Sequence, residues 1–96
     1  MSYSIEFEPD ALRDWYRLQA APRERFKKML AKRLENPRVP SAQVSGFDGN
    51  VYRLKISSDG LRLVYVVLEA EKAIYVVAVG KREDLAAYRK AKKKLG

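Results

Sequence analysis

Three observations predict an α+β fold for this 96-residue chain. Apolar and polar residues alternate in the opening segment, the alternation returns in two runs after residue 50 and is followed by a continuous apolar run, and apolar residues recur at helical spacing between residues 10 and 35. The period-two and period-3.6 blocks are segregated along the chain. They predict one small domain over residues 1–96, with an antiparallel sheet made of the first strand plus a three-strand meander. That sheet packs against an N-terminal helix hairpin, and a C-terminal helix follows. Hydrophobic residues make up 47% and charged residues 33%, which excludes a disordered chain.

Each element has a local reason. In residues 2–8, Tyr3, Ile5 and Phe7 alternate with Ser2, Ser4, Glu6 and Glu8, as in a half-buried strand. Pro9 follows, suited to the first turn of a helix by its fixed φ and missing N–H. Ala11, Leu12, Trp15, Tyr16 and Leu18 then make a short amphipathic helix over 10–19. Pro22 restarts the pattern, and Phe26, Met29, Leu30 and Leu34 line one face of a second helix over 23–35, with Glu24 placed to pair with Lys28. The two helices form a hairpin around Gln19 to Pro22. Asn36 and Pro37 end the second helix, and residues 38–50, with Pro40, Gly46 and Gly49, read as a loop.

The period then changes. In residues 51–57 the even positions Tyr52, Leu54 and Ile56 are apolar, and Arg53 and Lys55 stand between them. Asp59-Gly60 supplies the residues a tight hairpin needs at positive φ. Residues 61–67 return with Leu61, Leu63, Tyr65 and Val67 on one face and Arg62 on the other. Residues 73–79 are apolar at nearly every position, as expected of a strand covered on both faces. Gly80 breaks the run, and Glu83 and Asp84 mark the start of the last helix, whose apolar stripe of Leu85, Tyr88 and Leu95 is thin.

Composition narrows the chemistry. The chain has no cysteine and no histidine, which removes disulfides, thiolate and histidine zinc sites and every Ser-His or Cys-His triad. No metal and no cofactor is expected, and any catalysis falls to Arg, Lys, Tyr or carboxylates. The opening lacks a basic head with an apolar run, and no 18 apolar residues run uninterrupted, so we expect a cytoplasmic protein without a membrane partner. The net charge of +8 is localised. Residues 23–38 carry seven cations against two carboxylates, and residues 81–96 repeat that ratio, whereas residues 1–20 are acidic. Two such blocks concentrate polyanions, with Arg25, Lys28, Lys32, Lys81, Lys90 and Lys93 as candidate RNA-binding residues. An alternative is a solvated face that only aids solubility.

A more specific signal is the parity of Arg53, Lys55 and Arg62. All three fall opposite the apolar set of their strands and so should share one sheet face. Like charges held together cost stability unless an anion neutralises them, and a phosphate group would do so. Arg82 should lie in the connection before the last helix. Within a helix shared with Tyr88, six residues would turn the two apart by roughly 240°.

The opening YSIEFEPDALRDWYRL, the helix end LENPR, the strand pair VYRLKISSDGLRLVY and the segment VAVGKRED followed by Tyr88 together resemble the RelE family of bacterial toxins, over almost the whole chain. The resemblance implies a ribosome-dependent endonuclease that cuts mRNA in the A site. It implies mRNA and rRNA as partners, and a cognate RelB-like antitoxin that holds the toxin inactive. It matches the family's active-site cations to Arg53, Lys55, Arg62 and Arg82 and its catalytic tyrosine to Tyr88. Arg53 departs from the lysine of the best-known member. An arginine there can clamp phosphate but cannot shuttle a proton.

Cleavage without metal or histidine would proceed by attack of the ribose 2′-hydroxyl on the adjacent phosphorus. Tyr88 is the candidate base, Arg62 and Arg82 the clamps on the non-bridging oxygens, and Lys55 or Arg82 the acid at the leaving oxygen. A competing expectation is a non-catalytic or gyrase-targeting ParE-type toxin, which would have no need of this cation set. The exposed apolar side of the helix hairpin and the weakly docked last helix are candidate antitoxin contacts.

Overall fold

The computed structural model describes residues 2–46 and 49–81. Pro9 opens the first helix, as its fixed φ dictates, and the Glu8 carboxylate just before it accepts from the Ala11 N–H at 3.0 Å, capping the end. The elements are β1 (Ser4–Phe7), α1 (Pro9–Arg17), α2 (Ala20–Glu35), β2 (Val51–Ile56), β3 (Leu61–Leu68) and β4 (Ala73–Lys81), with one-turn 3-10 segments at Pro40–Ala42 and Ser57–Asp59. The α+β class is as expected. The predicted C-terminal helix lies outside the described residues.

Several local details differ from the sequence expectation. The second helix starts at Ala20, not at residue 23, because Pro22 falls within its first turn, where a missing N–H breaks no intrahelical bond. Only Leu18 and Gln19 therefore separate the helices. Arg23 also leaves the basic block for a structural task. Its Nη1 donates to the carbonyls of Tyr16 and Leu18 at 3.3 and 3.1 Å, groups that the end of α1 leaves without helical partners. Glu24 pairs with Lys27 at 3.4 Å instead of Lys28. The β2–β3 connection is wider than a two-residue hairpin. Ser57–Asp59 make the 3-10 turn, and Gly60 alone takes positive φ, at 64°, donating its N–H to the Ser57 carbonyl at 3.2 Å.

The strands are ordered β1-β4-β3-β2. β2, β3 and β4 form the expected antiparallel meander. The first strand runs parallel to β4, with Ser4 opposite Ala73 and Phe7 opposite Val76, so the sheet is mixed where a wholly antiparallel one was expected. The cause is the length of α2. Its last turn returns the chain to the end where β1 begins, and Tyr3 donates its N–H to the Leu34 carbonyl there at 2.8 Å. β2 leaves from that end in the direction of β1, and two reversals give β4 the same direction.

The main core lies between the helices and one sheet face. Trp15 sits between Phe7 and Phe26 at centroid distances of 5.3 and 6.4 Å, above buried Leu54, Ile56, Leu63, Ile74 and Val76. Tyr65 and Tyr52 stack at 5.7 Å, and the Tyr65 hydroxyl donates to the Pro37 carbonyl at 2.7 Å. The opposite face is also buried at its centre, around Val44, Val51, Val64, Val66, Val77 and Ala78. The register shift of β3 and β4 explains the unbroken apolar run. Val64 pairs with Ala78 and Tyr65 with Val76, which leaves Val77 as the extra residue of a bulge, and both Val77 and Ala78 join the second cluster. Among the described residues no helix is long and apolar enough to cross a membrane.

Candidate active site

The predicted cations come together on the second sheet face, at the end where β2 turns into β3. Backbone pairing places Lys55 directly opposite Arg62, and Arg62 in turn opposite Gly80 of β4. The three positions form one row across three strands. Arg53 pairs with Val64, whose side chain belongs to the second cluster, so Arg53 shares that face one row away. Lys55 is exposed, while Arg53 and Arg62 are half-buried. Arg53 donates from Nη1 to the Gln43 carbonyl at 3.5 Å, leaning over the outer edge of the sheet.

Gly80 adds no side chain to this row, and a Cβ placed there meets nothing within 4 Å among the described residues. Opposed like charges on neighbouring strands repel, and no carboxylate among the described residues forms a salt bridge with Lys55 or Arg53. An anionic oxygen over the row would interact favourably with all of them at once.

The other sequence candidates are dispersed. Arg25 is tied to the β2–β3 turn, within 3.8 Å of the Asp59 carboxylate and 3.1 Å of the Ser58 hydroxyl. Lys28 and Lys32 are exposed on α2, and Lys81 is exposed at the end of β4. Arg82, Tyr88, Lys90 and Lys93 lie outside the described residues.

One cation near the site was not singled out from the sequence. Arg33 lines a groove of about 200 Å³ with Met29, Ser41, Ala42, Arg53, Leu54 and Lys55, between α2, the Pro40–Ala42 turn and β2. The signal available in the sequence was its spacing: Arg33 stands four residues after core-facing Met29, and so on the same side of the helix. Beneath the groove, burial pushes the Tyr65 phenol up to about 12, while the charge of Arg33 acts in the opposite direction.

A second concavity lies on the other side of the molecule. Ile5, Phe7, Trp15, Tyr16, Leu30 and Leu34 line an apolar hollow of about 460 Å³ between β1 and the helices, with Tyr16 69% exposed at its rim.

Comparison with known proteins decides the family. The model of the ParE toxin of the type II toxin–antitoxin system parDE matches residues 5–86. The mRNA interferase toxin RelE of Escherichia coli strain K12 is 37% identical over 95 residues, covering 99% of both chains. The chain belongs to the RelE family of type II toxins. A free-state structure of a doubly substituted E. coli RelE superposes with a TM-score of 0.93 at 35% identity, over the full length of both chains. RelE from the intact E. coli RelBE toxin–antitoxin complex superposes with a TM-score of 0.81 at 36% identity, over 85% of this chain and 99% of that one. Of the five positions matched to the RelE active site, Arg53, Lys55 and Arg62 lie on one face, and Arg82 and Tyr88 fall outside the described residues.

Proposed function

We propose that this chain, read as a single toxin domain over residues 1–96, is a ribosome-dependent mRNA endonuclease. The observation that carries the reading is the row of Lys55, Arg62 and Gly80, with Arg53 beside it: a cationic sheet face that a phosphodiester can approach. The naming of its 37%-identical relative as an mRNA interferase supports the same assignment.

In this reading the 2′-hydroxyl of the ribose attacks the adjacent phosphorus in line. The new O–P bond forms as the bond to the 5′ oxygen breaks, leaving a 2′,3′-cyclic phosphate and a 5′-hydroxyl. Tyr88 accepts the 2′ proton. An ordinary tyrosine titrates near ~10, so the phenol requires the field of Arg53 and Lys55 to act as a base near neutral pH. Arg62 and Arg82 neutralise the charge that builds on the non-bridging oxygens, and Lys55 or Arg82 protonates the departing oxygen. Arg53 contributes charge and a planar fork without giving up a proton. Such a site depends on alignment, which can contribute ~7 to 11 kcal/mol when the reacting groups are held in line, and the ribosome supplies it. Ribosome-bound mRNA should therefore be cut quickly and free RNA slowly.

A cognate antitoxin completes the reading. A superposed relative is seen in a RelBE toxin–antitoxin complex, and we assign the antitoxin's apolar segment to the hollow lined by Phe7, Trp15 and Tyr16. The competing reading, a gyrase-directed toxin, takes its support from the ParE description of the matching family model. The test compares wild type with Tyr88→Phe in a translating extract, with cut sites mapped on the mRNA. Cleavage by wild type and its loss in a folded Tyr88→Phe supports the nuclease. Uncut mRNA together with arrested gyrase supports the ParE-type reading, and unchanged cutting removes Tyr88 from catalysis.

A further inference from the structure

The scissile phosphodiester occupies one point on a longer polyanion, and the groove beside it carries Arg33, a cation that the chemistry above leaves unused. Arg33, Arg53 and Lys55 line it with Met29, Ser41, Ala42 and Leu54, and no carboxylate is among them. The groove is about 200 Å³, several times the roughly 30 Å³ share of a water molecule, and it takes a phosphate with part of its ribose. Met29, Ala42 and Leu54 give it apolar surface, and its outer wall is β2 beyond the Gln43–Tyr52 bridge.

Arg33 is held differently from the neighbouring arginines of α2 and the following loop. Its Nη1 is shut off from solvent and has no hydrogen-bond partner among the described residues. Arg23, Arg25 and Arg38, by contrast, are bound to carbonyls, hydroxyls or carboxylates. The guanidinium is half-buried at the groove wall, and a partly desolvated charge attracts an anion beside it more strongly than a fully solvated one does. Burial on one side also holds the fork beside the groove at little additional entropy cost.

We propose that this groove is a second phosphate subsite, in which Arg33 holds the RNA backbone phosphate next to the scissile one. The inference rests on the nuclease reading and extends it. Arg53 and Lys55 belong to both places, so the RNA strand passes from the sheet face over the edge of β2 into the groove. Ser41 at the rim can donate its hydroxyl to the same phosphate or to a 2′-hydroxyl. Arg33 is thus a binding residue that fixes the substrate's register, and it transfers no proton.

The experiment has two arms, each with wild type, Arg33→Gln and Arg33→Lys, after thermal melting has shown all three to be folded. In the first, binding of a short 2′-O-methyl RNA oligonucleotide, which cannot be cut, is followed against salt concentration. Loss of one phosphate contact lowers the magnitude of the log K against log salt slope by about 0.7 in Arg33→Gln, and Arg33→Lys retains the wild-type slope. In the second, cleavage of mRNA on programmed ribosomes is measured. Arg33→Gln should raise KM about tenfold and change kcat by less, with Arg33→Lys recovering part of the loss.

If wild type cuts and Arg33→Gln matches it in slope and KM, the subsite is overturned and the nuclease reading stands. If wild type fails to cut while the slope still falls in Arg33→Gln, the nuclease reading is lost and the RNA contact is upheld. If Arg33→Gln weakens only the binding of an acidic antitoxin peptide, the groove is a protein contact and the RNA subsite is overturned.

Discussion

Replacing Lys55 by Gln should make the protein more stable and far less active. Lys55 and Arg62 are direct cross-strand partners, so their Cβ atoms stand about 5 Å apart and two like charges face each other across the ladder. At roughly 6 Å in water two unit charges repel by roughly 0.7 kcal/mol, in keeping with the ~0.2 to 1 kcal/mol measured for cross-strand pairs. For a domain of this size that corresponds to a rise in Tm of about 1 to 8 °C. Gln retains most of the aliphatic stem, and position 55 is exposed, so packing contributes little to the change. The assay is thermal unfolding by circular dichroism at low salt and again near 1 M, where the screening length falls to about 3 Å and the gain should largely vanish. In parallel, mRNA cleavage on ribosomes should fall by about 100-fold or more, in the range that removal of one general acid or charge-stabilising group produces. A Tm that drops, or a rise that persists unchanged in high salt, would refute the claim that these cations are held against one another.

Two further outcomes concern the core. Tyr65→Phe removes the donor to the Pro37 carbonyl and should cost about 1 to 1.5 kcal/mol in urea unfolding. The same phenol sets an alkaline limit. It titrates near 12 when folded against an ordinary 10, so its stabilisation is complete below pH 10 and is lost as pH climbs from 10 to about 12. That difference amounts to roughly 2 to 3 kcal/mol, and Tyr65→Phe should flatten stability over that window. Trp15→Ala empties the space between Phe7 and Phe26 and should cost about 3 to 5 kcal/mol, read as a lowered urea midpoint.

How much of this was legible in the sequence depends on the range of the cause. The strand parity of Arg53, Lys55 and Arg62 is a local property, and so is their placement on one face. What parity could not supply is register: that Lys55 meets Arg62, and not Val64, depends on the four residues of the Ser57–Gly60 turn. The parallel pairing of β1 is set by where a 16-residue helix delivers the chain, a distance that no window of sequence contains. Arg33 escaped notice for a related reason. On a helix wheel it is one of several cations, and only the docking of α2 beside the Pro40–Ala42 turn separates it from exposed Lys28 and Lys32. Glu24 was misassigned at smaller scale, since i,i+3 and i,i+4 partners are nearly equivalent on a helix and Lys27 and Lys28 offer both.

The fold alone does not choose between a nuclease and a gyrase-directed toxin, because the same small sheet and helix pair can carry either. The distribution of charge does bear on the choice. An open sheet edge needs some charge to discourage pairing with another strand, and one or two lysines on β2 would serve that purpose. Arg62 lies outside that explanation, for β3 is an interior strand paired on both sides. Arg62 is a half-buried cation on an interior strand, set opposite Lys55 across one ladder and Gly80 across the other. A contact surface for a folded protein would be better served by neutral residues at these positions. A surface that must receive the charge developing on a cleaved phosphate requires them, and the same requirement accounts for Arg53 leaning over the edge toward the groove that Arg33 lines.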